Sequence, residues 1–401
     1  MPLFEYKAVN QNGESINGRS QAKNRSEIMQ MLRNKNYHPV LIKEVAEGTD
    51  LSSLSILNKV KTKDIAVFAR QFHAMLNAGV TIIQCLDILR QQTENKRFKE
   101  VIEKVYESVQ KGSTLSEAMK EHRSVFPELL INMIEAGEAS GNLDTIMNRM
   151  AFHYEKETKI QNKVRGAMIY PAVLAIISVV VVVFMLVAIL PTFLTMFEGA
   201  GVDLPGPTLF LLAVSNGIRK YWYLIILIII AFVYLIRRYI KTEEGRKKFD
   251  EIKLRVPIVK NLVVKVATSR FTRTMSTLLA SGIPLLPAID IVSKIVGNRV
   301  LADGLMSVKE DLRKGYDLAG LIHRLKLFPP MVDSMIRIGE ESGSLDDVLS
   351  KTADFYDDEV NVAIQKMTTM LEPLMLIVMA VVIGFLVVSM YLPMIDMMQT
   401  I

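Results

Sequence analysis

The segment Gly137-Glu138-Ala139-Ser140-Gly141-Asn142-Leu143-Asp144 crowds two carboxylates, a hydroxyl and two glycines together, and it recurs as Gly339-Glu340-Glu341-Ser342-Gly343-Ser344-Leu345-Asp346. Residues of these types support several chemistries. A serine beside a glycine suits a nucleophile, but Ser140-Gly141 is flanked by helical patterns and not by the strand and helix of a Gly-x-Ser-x-Gly elbow. Glu138 and Asp144 suit a cation, although Asn142 and Ser344 add no charge there. A carboxylate beside a helix start also suits a basic side chain, on the same subunit or on a partner. Turn grammar is the plainest account. Gly137 would close one helix, Asn142 or Ser344 would cap the next, and Asp144 or Asp346 would lie in its first turn, where the helix dipole favours a negative charge by ~0.3–1 kcal/mol. That explains the glycines and aspartates better than Glu138 and Glu340, so structural turn, partner contact and metal site all stay open.

Other catalytic spacings are missing from the sequence. No Gly-x-x-x-x-Gly-Lys-Ser/Thr loop occurs to cradle nucleotide phosphates, and His38, His73, His122, His153 and His323 show no His-Glu-x-x-His pattern. The single cysteine, Cys85, sits in an apolar helical pattern as a buried free thiol. The net charge of +6 comes from basic residues beside apolar runs, which suits anionic lipid headgroups and not nucleic acid. No catalytic residue, cofactor or metal is assigned, and the chain reads as a non-enzyme.

The elements around the two segments are themselves duplicated. Phe126 to Glu157 matches Phe328 to Glu359, an offset of 202 that also relates Pro171 to Pro373 and Pro191 to Pro393. Phe68 to Leu89 matches Phe271 to Val292 at an offset of 203, with Ala78-Gly79 over Ser281-Gly282 as helix-ending turns and Lys111-Gly112 over Lys314-Gly315. A loop between Gly315 and Phe328 therefore differs in length by one residue. Each copy leads into an apolar run. Gly166 to Phe197 and Pro373 to Ile395 carry no charge, and the latter, at 1.5 Å per residue, is roughly 34 Å long against a hydrocarbon core of ~30 Å. Tyr221 to Ile236 is a shorter third span, extended by Tyr239 and Ile240 and edged by Tyr221, Trp222 and Tyr223. Glu372, immediately before Pro373 where the first copy has Tyr170, is either an interfacial carboxylate or a polar contact with another membrane helix. Glu372, Pro171 and Pro373 are the expected membrane-interface residues.

The opening MPLFEYKAVN lacks the apolar core of a signal peptide, and residues 3–45 pattern as a ββαβ unit with Ser26 as helix cap. The fold class expected is an all-α membrane protein with two repeated cytoplasmic helical bundles, three transmembrane helices and a small α/β unit at the N-terminus. The domains expected are 1–46 for that unit, 47–62 for a linker, 63–165 and 241–370 for the bundles, and 166–192, 221–240 and 371–395 for the spans. Residues 193–220 form an extracytoplasmic loop. Basic residues before the first span and after the second, and none after the third, put both bundles and the N-terminus in the cytoplasm and the C-terminus outside.

With the duplicated Gly-Glu-x-Ser-Gly-x-Leu-Asp motif, the Phe-Pro before it, the Tyr-x-x-Glu after it, and Phe4 to Gly18 at the N-terminus, the chain resembles the type II secretion system F family. Thr81 departs from the proline that the family often has there, which the second copy keeps as Pro284. The resemblance implies a non-enzymatic platform in the bacterial inner membrane, serving a type IV pilus or type II secretion machine. It implies coupling of a hexameric cytoplasmic assembly ATPase to insertion of prepilin or pseudopilin subunits into a growing fibre. Other inner-membrane assembly components, membrane lipids and further copies of the chain are its implied partners. A transporter or channel subunit built from duplicated halves is the rival reading, opposed by the scarcity of ionisable groups in the spans; a membrane-bound hydrolase ranks third.

Overall fold

A computed structural model describes residues 3–10, 15–22, 24–34, 37–45, 59–193 and 205–400. The chain forms two compact units, residues 1–60 with 90–102 and residues 61–89 with 103–401.

The first unit holds the ββαβ arrangement: β1 (Leu3–Asn10), β2 (Ser15–Gln21), α1 (Arg25–Asn34) and β3 (Tyr37–Val45). The sheet is antiparallel with order β2-β1-β3, and Phe4, Ala8 and Ile42 join Ile28 and Leu32 of α1 in a small core. The cap of α1 is Asn24 and not Ser26: the Asn24 side chain accepts the Glu27 N–H at 3.0 Å, which leaves Ser26 inside the first turn. Most of the expected 47–62 linker lies outside the described residues.

The second unit is helical. Its first bundle uses α2 (Thr62–Asn77), α3 (Ile82–Gln92), α4 (Lys96–Gln110), α5 (Leu115–Lys120), α6 (Glu128–Ser140) and the start of α7 (Leu143–Phe184), with α3 and α4 running partly into the other unit. After α7 a π-helical turn, Met185–Ile189, continues the rod to Phe193. Then come α8 (Gly206–Ile240), α9 (Glu243–Arg255) and the second bundle: α10 (Pro257–Leu279), α11 (Leu285–Ile295), α12 (Arg299–Arg313), α13 (Leu318–Leu325), α14 (Pro330–Ser342) and α15 (Leu345–Thr400). The same aromatic pair marks both cores, Phe68 with Phe126 at 5.8 Å and Phe271 with Phe328 at 4.9 Å between ring centroids. Gly79 and Gly282, and Gly112 and Gly315, all have positive φ, as the paired helix endings require. At Thr81 the hydroxyl accepts the Gln84 N–H at 3.4 Å, a side-chain cap at the position where Pro284 begins α11 by its fixed φ.

Among the described residues three helices are long and apolar enough to cross a membrane: Leu143–Phe193, Gly206–Ile240 and Leu345–Ile395. The expected loop at 193–220 is helical from Gly206 onward. Its residues pack an apolar face, Leu211 with Leu186, Leu190, Leu386 and Met390, and the helix breaks only at Tyr221 (φ −118°, ψ 21°) before resuming to Ile240. Ser215 donates to the Leu186 carbonyl in the π turn at 2.6 Å, and Thr208 to the Ser389 carbonyl at 2.5 Å. A π turn shifts a carbonyl out of the regular ladder, and here a neighbouring hydroxyl satisfies it.

The other departure from expectation is continuity. The bundle does not end before its span begins: α7 runs 42 residues and α15 runs 56, through Pro171, Pro373 and Pro393. Each proline removes one amide donor, a loss that membrane helices tolerate where neighbouring groups and local adjustment satisfy the freed carbonyl.

Candidate structural site: the paired glutamate turns

Gly141 closes α6 in the left-handed region at φ 71°, and Gly343 closes α14 at φ 67°. The Asn142 N–H returns to the Gly137 carbonyl at 3.0 Å and the Ser344 N–H to the Gly339 carbonyl at 3.1 Å, the long-range bond of a Schellman ending. Gly137 therefore does not close the helix. It lies buried inside α6, where a Cβ would stand 3.0 Å from Ile146 Cγ1 and 3.2 Å from Leu143 Cα; at Gly339 the closest atom, Leu345 Cα, would be at 2.8 Å. These two glycines let the next helix start against the one just ended. Asn142 stands at the N-cap of α7, but its side chain makes no capping bond there. Asp144 and Asp346 do lie in the first turns of α7 and α15, and the Asp144 carbonyl accepts from His73 Nδ1 at 3.0 Å.

Glu138 and Glu340 cap a helix, but not the one that follows them. Glu138 accepts the backbone N–H groups of Leu115 at 2.6 Å and Ser116 at 3.0 Å, the first two of α5. Glu340 does the same for Leu318 at 2.9 Å and Ala319 at 3.0 Å at the start of α13. Thr114 and Asp317 take the next amides, Glu117 at 3.2 Å and Gly320 at 2.7 Å. Leading amides that would otherwise lack partners thus meet a carboxylate, and the helix dipole adds to the attraction. The Ser140 and Ser342 hydroxyls donate back to the Ala136 and Ile338 carbonyls at 2.8 and 2.7 Å. Among the described residues no group of three His, Cys, Asp or Glu side chains could hold a metal ion.

Beyond the turn, each bundle ties its first helix to its last by an ion pair. Arg70 of α2 grips Glu155 of α7 through two bonds, at 2.7 and 2.8 Å, and Arg273 of α10 grips Asp357 of α15 at 2.6 Å. The two arginines are 203 residues apart and the two carboxylates 202 (70 to 273, 155 to 357). Both Arg70 and Glu155 are held in their charged forms by this bond. The second pair is covered by α7 of the first bundle, whose Phe152 ring lies 5.5 Å from the Arg273 guanidinium and whose Lys156 reaches Asp354 and Asp357 at 3.4 and 3.5 Å.

The same face of α7 makes the rest of the joint between bundles. Ile160, Val164 and Ala167 pack on Leu262, Val360 and Ile364; Arg149 donates to Ser281 at 3.0 Å, Lys163 to Asn361 at 2.7 Å, and Glu157 receives both branches of Arg270. Burial pushes the Glu157 carboxyl up, but Arg270 and Gln161 outweigh it and hold the group below its usual range. His153 is buried with Nδ1 unpartnered, and burial pushes it down to about 4. Further along, the Tyr170 hydroxyl donates to Glu372 at 3.4 Å, so the repeat-equivalent residues 170 and 372 meet, and Glu372 is both exposed and bonded to a neighbouring helix. Pro171 is buried beside it, and Pro373 is exposed.

Comparison with family models finds the type II secretion system protein F domain twice, over residues 68–191 and 271–393, and the N-terminal domain of the same protein over residues 1–43. The chain belongs to the type II secretion system protein F family. It is 38% identical over 403 residues to the type IV pilus assembly protein PilC of Thermus thermophilus, covering 100% of this chain and 99% of that one. Identity to PilC of Myxococcus xanthus is 37% over 390 residues, or 97% of this chain and 94% of the relative. The type II secretion system protein F of Xanthomonas campestris is 32% identical over 404 residues, the whole of both chains.

Each F domain thus begins in the helix that carries the arginine, α2 or α10, and ends in the apolar rod beyond the π turn that follows α7, or in the apolar part of α15. Sequence reading found the glutamates of this F-family chain but missed Arg70, Glu155, Arg273 and Asp357. The signal was available, as an arginine and a carboxylate recurring together at the repeat offsets.

Proposed function

We propose that this F-family chain is a non-enzymatic platform in the bacterial inner membrane that couples a cytoplasmic assembly ATPase to insertion of prepilin or pseudopilin subunits into a growing fibre. Both bundles and the N-terminus face the cytoplasm, in keeping with the basic residues beside the first two spans. The observation that carries the reading is the unbroken passage from turn to membrane. Leu143 and Leu345 each start a helix that leaves a bundle and enters the apolar zone with no intervening loop, over 42 and 56 residues. Glu138 and Glu340 fasten the base of each rod to its bundle. A displacement imposed on a bundle is then carried by a stiff helix to the membrane interface at Tyr170 and Glu372, whereas a loop at that level would absorb it.

The names of the relatives, assembly of type IV pili and type II secretion, support a machine of this kind. The test uses the full chain purified in detergent. It should hydrolyse no ATP alone and should co-purify with an assembly ATPase, and crosslinkers at Glu121 or Lys326, beside the helices that Glu138 and Glu340 cap, should capture that ATPase in cells. Robust hydrolysis by the isolated chain would sink the proposal.

A further inference from the structure

The second bundle seats α7 in a groove between α10 and α15. The first bundle has the same groove, between α2 and α7, and among the described residues nothing is seated in it. This groove, of about 610 Å³, is lined by Lys63, Val67, Arg70, Glu155, Thr158, Lys159 and neighbours. At the repeat offsets these become Val266, Arg270, Arg273, Asp357, Val360 and Asn361. In the second bundle every one of the six meets α7, through Ile160, Glu157, Phe152, Lys156 or Lys163.

The matching stripe is also present and exposed. On α7 the seated residues include Arg149, Lys156, Ile160 and Lys163; their equivalents on α15 are Lys351, Asp358, Val362 and Gln365, all open to solvent. The spacing of three and four residues keeps them on one helix face. The charge balance differs on both sides, with the sign reversed at one stripe position, Asp358 for Lys156. Within the chain a basic stripe meets the acidic Asp354 and Asp357, whereas the first-bundle groove is basic, with Lys63, Arg70, Lys159 and Lys163 outnumbering Glu155, and Asp358 replaces Lys156 on the free stripe.

We propose that the groove between α2 and α7 receives the outer stripe of α15 from a second copy of the chain. Each chain offers one groove and one stripe, so two chains satisfy each other about a two-fold axis and close a ring of four bundles with no groove left over. The bond between Lys163 and Asn361 places its equivalents, Lys159 of one copy and Gln365 of the other, in register.

The test is carried out on the full chain in membranes. Two differently tagged chains are co-expressed, one with Lys159→Cys and one with Gln365→Cys, so that a disulfide joining both tags is necessarily intermolecular. Oxidation should give that species when both cysteines are present and not when either is missing. In detergent, Lys63→Glu with Lys159→Glu should weaken self-association by on the order of tenfold, and Asp358→Lys in the second chain should restore it. Because these side chains are exposed, the variants should melt as the parent does. Absence of the two-tag species from chains that melt normally would overturn the proposal. So would a photo-crosslinker at Lys159 that captures a different protein and never a second copy.

Discussion

Arg70 with Glu155 and Arg273 with Asp357 are one ion pair in two settings. The first is exposed, with 41% and 44% of the side chains accessible, and the second is enclosed, with 8% and 11%. The chemistry of the pair is the same in both; what differs is whether α7 of the other bundle lies over it. An exposed pair contributes little because water competes for both partners, whereas breaking an enclosed pair strands a charge away from water. The comparison teaches that duplication preserved the internal tie of each bundle, and that docking of one copy on the other set its energetic weight.

The sharpest way to break this comparison is to remove each arginine in turn and follow thermal unfolding of the full chain by circular dichroism in detergent. Arg273→Ala should cost up to about 3–5 kcal/mol, since the enclosed Asp357 loses its closest cation and keeps only Lys156 at 3.5 Å and the Ser269 hydroxyl, and Arg70→Ala less than about 1 kcal/mol. Equal effects would mean that enclosure does not decide the weight of the pair.

A second asymmetry is His153, buried at the joint among Glu157, Arg270, Arg273 and Asp357, where the second copy has Phe355. Its folded value of about 4 lies below the ordinary 6.5, so the unfolded chain takes up the proton first. The stability it contributes is complete above about pH 6.5 and is lost as pH falls toward 4, on the order of 3 kcal/mol by the lower end. His153→Phe should flatten that part of the pH–stability curve, and an unchanged slope would place the acid sensitivity elsewhere.

The two buried glycines differ more finely. Gly339→Ala brings a Cβ to 2.8 Å from a backbone atom, and Gly137→Ala meets first the Ile146 side chain, at 3.0 Å. The former should cost about 1–3 kcal/mol and the latter less, because a side chain yields more readily than backbone. Smaller and nearly equal effects, about 1–2 kcal/mol, are expected for Glu138→Gln and Glu340→Gln, each keeping one acceptor and losing the charge. Hydrogen exchange should locate the loosening at Leu115 and Ser116 or at Leu318 and Ala319, and protection there equal to the parent's would refute the capping role.

Much of this architecture is legible in the sequence because it rests on local signals read twice. Glycines at 79 and 282 mark helix endings by conformation, and the uncharged runs mark spans by length. What stayed hidden depended on long-range geometry. Gly137 and Gly141 look alike in a sequence, yet one answers a close approach by Ile146 and Leu143 and the other a left-handed φ of 71°. At Gly141 an added Cβ meets no atom within 4 Å, so a substitution there is strained and not clashing. Glu138 reads as a turn residue until α5, 22 and 23 positions upstream, is folded beside it. The helix at Gly206–Lys220 was obscured by Pro205-Gly206-Pro207, read as loop when Pro207 in fact sits in a helix's first turn.

The bond from Glu138 to α5 has a consequence for heredity. At one end it depends on a particular side chain; at the other it depends only on main-chain amides, which every amino acid but proline supplies. The residues at the receiving end have drifted accordingly, from Leu115-Ser116 to Leu318-Ala319, and the loop that follows has changed length by one residue, without cost to the bond. Mutation therefore sees this fastening as a one-sided target. Apart from proline at the receiving end, only a change of the glutamate undoes it directly.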